Sequence, residues 1–193
     1  MTNLARKRAT YADLEAAPPH LVAELINGAL EAHPRPLSRH SVAANSLGDE
    51  LTSPFQKGRG GPGGWIFMVE PELHLGADVL VPDLAGWRRE RLPSLPDKAG
   101  LTIAPDWLCE ILSPSTARLD RGPKMQIYAR HGVAFLWLLD PATHVLESYQ
   151  LADGKWVLQG TATGSDDVRL PPFDAISFPL SELFPLDPPI LDT

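Results

Sequence analysis

Residues 105–116 read Pro105-Asp106-Trp107-Leu108-Cys109-Glu110-Ile111-Leu112-Ser113-Pro114-Ser115-Thr116, and this stretch decides the fold class. The run from Trp107 to Leu112 is short and apolar, bounded by proline and serine, as expected of a β-strand covered on both faces. A charge in such a strand is costly unless it is paired or binds a metal, which makes Glu110 a candidate site residue. A second run of the same kind lies upstream from Val79 to Trp87, where Asp83 follows Val79-Leu80-Val81-Pro82. Ligand sites in mixed sheets gather at strand ends, so Asp83 joins Glu110 as a candidate. On position alone the simpler reading, a loop cap or an arginine partner for each carboxylate, is favoured.

Working outward, Trp65 to Leu75 reads as a further strand, and Leu92 to Ala104 as an irregular excursion. Asp120 to His131 reads as a helix closed by Gly132, where a left-handed residue costs least. Phe135 to Leu139, Val145 to Leu151, Lys155 to Gln159 and a last strand near Val168 suggest an antiparallel meander with turns at Pro141–His144 and Asp153-Gly154. Toward the N-terminus, Thr10 is a plausible cap for a short helix to Ala16. Leu21–Ile26, Asn27-Gly28 and Ala29–Ala32 read as a hairpin, since Asn-Gly supplies the positive φ of a tight turn. Leu37 to Leu51 has near-helical apolar spacing, and Gly58 to Gly64 reads as a flexible connector. The expected class is α/β (α+β): a mixed sheet flanked by helices, in one domain over 1–193, with 1–9 and 185–193 poorly ordered.

Composition agrees with one globular domain: 193 residues, 44% hydrophobic and 21% charged. No apolar run approaches the roughly 20 residues that span a bilayer, and the basic stretch Met1–Arg8 has no apolar segment behind it. A cytoplasmic protein without a membrane is expected. Cys109 is the one cysteine, so neither an internal disulfide nor a thiolate zinc cluster can form. It reads as a buried strand residue. The net charge of −7 is concentrated late: from Asp140 onward there are 9 acidic and 2 basic side chains, and 15 of each before it. Bulk charge argues mildly against tight, non-specific DNA binding, because only local basic clusters are present.

Several stretches together are similar to the Uma-two family of the PD-(D/E)xK restriction-endonuclease-like superfamily. They are Val81-Pro82-Asp83-Leu84, residues 105–116, Asp120 through Lys124 to Tyr128, and Gly132-Val133 with Phe135 to Pro141. Upstream, Glu24-Leu25-Ile26-Asn27-Gly28 resembles the family's N-terminal hairpin and Arg39-His40 the start of its first long helix. The resemblance runs from about Tyr11 to Phe184. It implies a restriction-endonuclease-like fold in which Asp83 and Glu110 bind one or two divalent cations, Mg²⁺ or Mn²⁺. These hard cations prefer oxygen ligands and keep waters, so two carboxylates suffice to bring activated water to a phosphodiester.

Superfamily members usually carry a lysine two residues after the glutamate, and here that position is Leu112. The resemblance implies a lysine moved to the next helix, Lys124. A surface ion pair with Asp120, four residues earlier, explains Lys124 equally well. Glu24 is a candidate third acid or general base, or an alternating strand residue facing water. Tyr128 could contact a phosphate or sit at the core edge, Arg121 and Arg118 could neutralise a phosphate or be solvated, and His40 could face the same cleft or lie at the surface. No His-x-x-x-His pair or phosphate-binding glycine loop is present.

The favoured function is metal-dependent hydrolysis of nucleic acid, DNA before RNA, by a homodimer, the apolar run Phe135–Leu139 suggesting the second copy. A nuclease-like module that binds DNA or a protein without cutting is the alternative. A carboxylate-pair glycosidase, with groups roughly 5 to 9.5 Å apart and five tryptophans to stack sugars, is a third.

Overall fold

The structure is a computed structural model that describes residues 8–35, 37–97 and 100–186. Of the stretches expected to be poorly ordered, 1–7 and 187–193 lie outside the described residues. A short helix, α1 (Tyr11–Glu15), starts from Thr10, whose side chain and Asp13 form a reciprocal capping box. The hairpin follows as β1 (Leu21–Ile26) and β2 (Ala29–Pro34), with Asn27 and Gly28 at φ 53° and 82°. Helix α2 (Ser38–Leu51) buries Ala43, Leu47 and Leu51 and runs into a wide turn at Thr52–Gln56.

The two upstream strand readings each break into two strands. Trp65–Leu75 is β3 (Trp65–Val69) and β4 (Leu73–Leu75); Val79–Trp87 is β5 (Asp78–Leu80) and β6 (Leu84–Arg88). Both breaks have a backbone cause: Glu70 turns left-handed at φ 46° before Pro71, and Pro82 has no N–H to give a ladder. At each break the chain passes between sheets. β4 and β5 complete a four-stranded sheet in the order β2-β1-β5-β4, while β3 and β6 enter a six-stranded one. The Glu70 N–H donates to the Asp83 carbonyl at 3.0 Å, tying the two crossing points together. Asp83 therefore stands where one sheet hands the chain to the other.

The large sheet has the order β10-β9-β8-β7-β6-β3, with β7 (Trp107–Ile111), β8 (Phe135–Asp140), β9 (Val145–Ala152) and β10 (Lys155–Thr163). Strands β7 and β8 are parallel and the other neighbours antiparallel, so β8 to β10 form the expected meander. A parallel pair needs a crossover, and the helical segment Ala117–Arg130 provides it. That segment is not one regular helix: α3 (Ala117–Leu119) and α4 (Met125–Arg130) flank a wide turn over Asp120–Lys124. Pro123, lacking an N–H, sits inside the wide turn. Gly132 at φ 73° ends the segment. A small ladder pairs β11 (Asp167–Val168) with β12 (Phe178–Pro179), and a short helical turn at Leu180–Leu183 follows.

Strand β7 is buried along its whole length and separates two cores. On one side Trp107, Cys109 and Ile111 join Trp65, Trp137, Phe55, Phe173 and the inner face of α2. Trp107 meets Phe173 edge-on at 5.0 Å and Trp137 at 5.6 Å. On the other side Leu108 and Leu112 pack with Leu136, Leu138, Ile127 and Tyr128. Successive residues of a strand face opposite ways, so Glu110 shares the second face. Four of the five tryptophans, Trp65, Trp87, Trp107 and Trp137, are at most 1% exposed and cannot stack sugars, and the fifth, Trp156, is half-buried with its Nε1 donating to the Met125 carbonyl. Phe135–Leu139 is an interior strand with neighbours on both edges, so that run offers no surface to a second copy.

Candidate active site

Seven side chains, drawn from β1, α2, the 81–83 crossing, β7 and the crossover helix, converge on the second face of the sheet. Asp83 is fixed from two sides. Its Oδ2 accepts the Ile111 N–H at 2.7 Å, locking it to the residue after Glu110, and its Oδ1 lies 3.1 Å from His40 Nε2 on α2. Glu110 receives the Tyr128 hydroxyl on Oε1 at 2.6 Å and faces the Lys124 ammonium at 2.9 Å. Lys124 reaches two further carboxylates, Glu24 at 3.1 Å and Asp120 at 3.2 Å. Glu24, for its part, accepts the Val81 N–H at 2.8 Å and pins the hairpin to the sheet crossing.

Burial decides how these contacts are read. Glu24 and Lys124 are 3% exposed, Glu110 and Asp120 2%. The Asp120–Lys124 pair exists but is not a surface pair, and Glu24 does not face water. Tyr128 is fully buried, so its hydroxyl serves Glu110 and cannot reach a phosphate in solvent. Leu112, standing where a lysine is usual, is part of the apolar core instead. The ammonium that faces Glu110 is that of Lys124, from the crossover segment.

Above the cluster opens a cleft of about 310 Å³. Glu24, His40, Asp83, Glu110, Asp120 and Lys124 line it, with Glu70 and the Ser113–Thr116 loop at its walls. Arg121 is outside this group: its guanidinium pairs with Glu147 at 2.6 Å. Asp120, which the sequence alone presents only as a partner of Lys124, is a member of the site. Its signal was available, since Asp120, Lys124 and Tyr128 recur at four-residue spacing.

The electrostatics follow from crowding acids in a dry place. Burial pushes the Glu110 carboxyl well above its ordinary value; Lys124 opposes this, while Asp120, Asp83 and Glu24 reinforce it. Burial likewise raises Asp120 against the pull of Lys124. For Lys124 burial alone would favour the neutral amine, but Glu110, Glu24, Tyr128 and Asp120 outweigh it and hold the ammonium well above its usual range. His40 is also raised: burial opposes this, but the bond and charge of Asp83, with the Ile111 backbone and the charge of Glu70, together outweigh it. Three carboxylates surround the lysine and a fourth, Asp83, faces His40, so the acids outnumber the lysine and their donors are hard oxygens. That set suits Mg²⁺ or Mn²⁺. Among the described residues no group of three or more His, Cys, Asp or Glu is arranged to hold a metal ion by itself.

A family model described as Uma2, "Putative restriction endonuclease", matches residues 8–181. Among solved structures the fold is similar to the crystal structure of a "putative nuclease belonging to DUF820" from Anabaena variabilis, with a TM-score of 0.73 and 22% identity, over 92% of this chain and 98% of that one. At that identity the likeness speaks for the fold. No curated protein matches the chain. Among the described residues no helix is long and apolar enough to cross a membrane.

Proposed function

Because the chain belongs to the Uma2 family of restriction-endonuclease-like proteins, we propose that it is a metal-dependent endonuclease that hydrolyses phosphodiester bonds in nucleic acid, DNA before RNA. The observation that carries this reading is the joining of Asp83 to β7 through the Ile111 N–H, which brings a carboxylate of the sheet crossing and one of β7 to the lining of one cleft. Asp83 and Glu110 are the proposed ligands of a Mg²⁺ or Mn²⁺ ion. Such an ion, when bound, supplies electrostatic stabilisation of the charge that develops on the phosphate.

The remaining roles belong to the chain. Tyr128 holds Glu110 in one orientation by donating its hydroxyl, and His40 does the same for Asp83. Lys124 keeps its proton and, with its three donors turned to Glu24, Glu110 and Asp120, acts on a phosphate in the cleft through its charge and not through a hydrogen bond. Glu24 holds Lys124 in place and, through Val81, holds the Asp83 crossing.

The test is cleavage of single- and double-stranded DNA and of RNA with Mn²⁺ by the parent and by Asp83→Asn. Cutting by the parent and its loss in the variant are expected. Equal cutting by both, or none by the parent on any of these, overturns the reading. A non-cutting nucleic-acid-binding module is the second reading, favoured by the 2% exposure of Glu110. It predicts a gel shift by the parent with no product.

A further inference from the structure

The three donors of the Lys124 ammonium face three different carboxylates. Glu110 lies at 2.9 Å, Glu24 at 3.1 Å and Asp120 at 3.2 Å, on residues no more than 3% exposed. These acids come from β1, β7 and the wide turn, so the lysine sits at the meeting point of three elements. Asp83 is held by other partners, the Ile111 N–H and His40. The acids thus divide into a group gathered on Lys124 and an Asp83 side that opens to the cleft, with Glu110 common to both.

From this division we infer that Lys124 is the resident cation of half the carboxylate cluster, so that the site takes one divalent ion, shared by Asp83 and Glu110, and not two. The inference rests on the metal-dependent reading above. A second ion seated on Glu24 and Asp120 would have to enter a space an ammonium already fills. It would also stand a few ångströms from a like charge in surroundings that screen poorly, where such repulsion is strong. Among the described residues Lys124 is the cation paired with Glu24 and Asp120: without it they would be buried anions facing Glu110, and a divalent ion is the species best suited to replace it. The wide turn at Asp120–Lys124 is what brings both the acid and the ammonium inward.

The experiment counts ions on the full chain, with Mn²⁺ alone as probe, by electron paramagnetic resonance of free Mn²⁺ and by calorimetry. The parent is expected to bind one ion per chain and Lys124→Met two. Lys124→Gln, which keeps hydrogen-bond donors but not the charge, guards against a Met variant that does not fold and is also expected to bind two. A count of two in the parent overturns the inference and needs no variant. So does a count of one in either variant shown to be folded by circular dichroism. A count of zero in the parent fails differently: it removes the metal reading itself.

Discussion

The two faces of β7 are built on opposite principles. On one, Trp107, Cys109 and Ile111 enter a dry aromatic core with Trp65, Trp137 and Phe173; on the other, Glu110 is ringed by Lys124, Tyr128 and, through Ile111, Asp83. The aromatic face gains from burial without conditions. The polar face repays burial only while every charge keeps its partner, because desolvating an ion costs several kcal/mol that lone packing does not return. The first face supplies stability to a strand whose second face carries a costly site. Substitutions on the two faces should therefore fail in different ways.

The largest effect is expected on the aromatic face. Trp107→Ala removes the ring that meets Phe173, Trp137 and Phe67 and should cost about 3–5 kcal/mol, seen as a lower denaturant midpoint. Metal affinity of the remaining folded protein should not change. A similar loss, but one that metal reverses, is predicted for Lys124→Met. Uncovering buried carboxylates should cost about 3–5 kcal/mol in chelator, against about 1 kcal/mol for an exposed pair, and Mn²⁺ should restore much of it. Cleavage should fall on the order of 10² to 10³ for loss of one electrostatic contact. Equal losses with and without metal would erase the distinction between the faces.

Tyr128→Phe sharpens the comparison at smaller scale. It keeps the ring in the core and deletes only the hydroxyl on Glu110, a hydrogen bond to a charged group worth about 1.5–3 kcal/mol. Metal affinity should drop about 10- to 100-fold, as for other groups that orient a ligand. A titration that leaves affinity unchanged would reduce Tyr128 to packing.

The smallest effect lies away from both faces. Glu50 on α2 is raised by burial and by its hydrogen bond and charge contact with Glu182. A carboxyl whose folded pKa is raised stabilises the fold only while protonated, below its unfolded value, and that contribution is lost as pH rises through the folded value. At pH 7 the two acids repel. Glu50→Gln should then stabilise by no more than about 0.5 kcal/mol, solvent screening included, and the gain should vanish near pH 4 in thermal melts.

What local sequence reveals and what it hides also divides along this line. Asp83 and Glu110 stand out because a charge beside an apolar strand run breaks the pattern of its neighbours. Position alone, however, favours a loop cap or an arginine partner, and it is the resemblance to the family that marks them as ligands. The hairpin at Asn27-Gly28, the meander and the cap at Thr10 were legible because turn chemistry is local. The split of Trp65–Leu75 and Val79–Trp87 between sheets was not, since both halves of each run are equally apolar and only pairing assigns them. The burial of Glu24 and Lys124 was hidden for the same reason. They are 100 residues apart in the chain, and nothing within a window of either reports the other. Leu112 is explained only in three dimensions, where the ammonium arrives from the crossover helix.

The central claim is that Asp83 and Glu110 form one divalent-ion site, and metal-linked stability of Asp83→Asn tests it most directly. With Mn²⁺ at about a hundredfold its dissociation constant, the parent should gain about 2.7 kcal/mol in unfolding free energy, and Asp83→Asn should gain none at the same concentration. An equal gain in parent and variant would place the ion elsewhere and contradict the account.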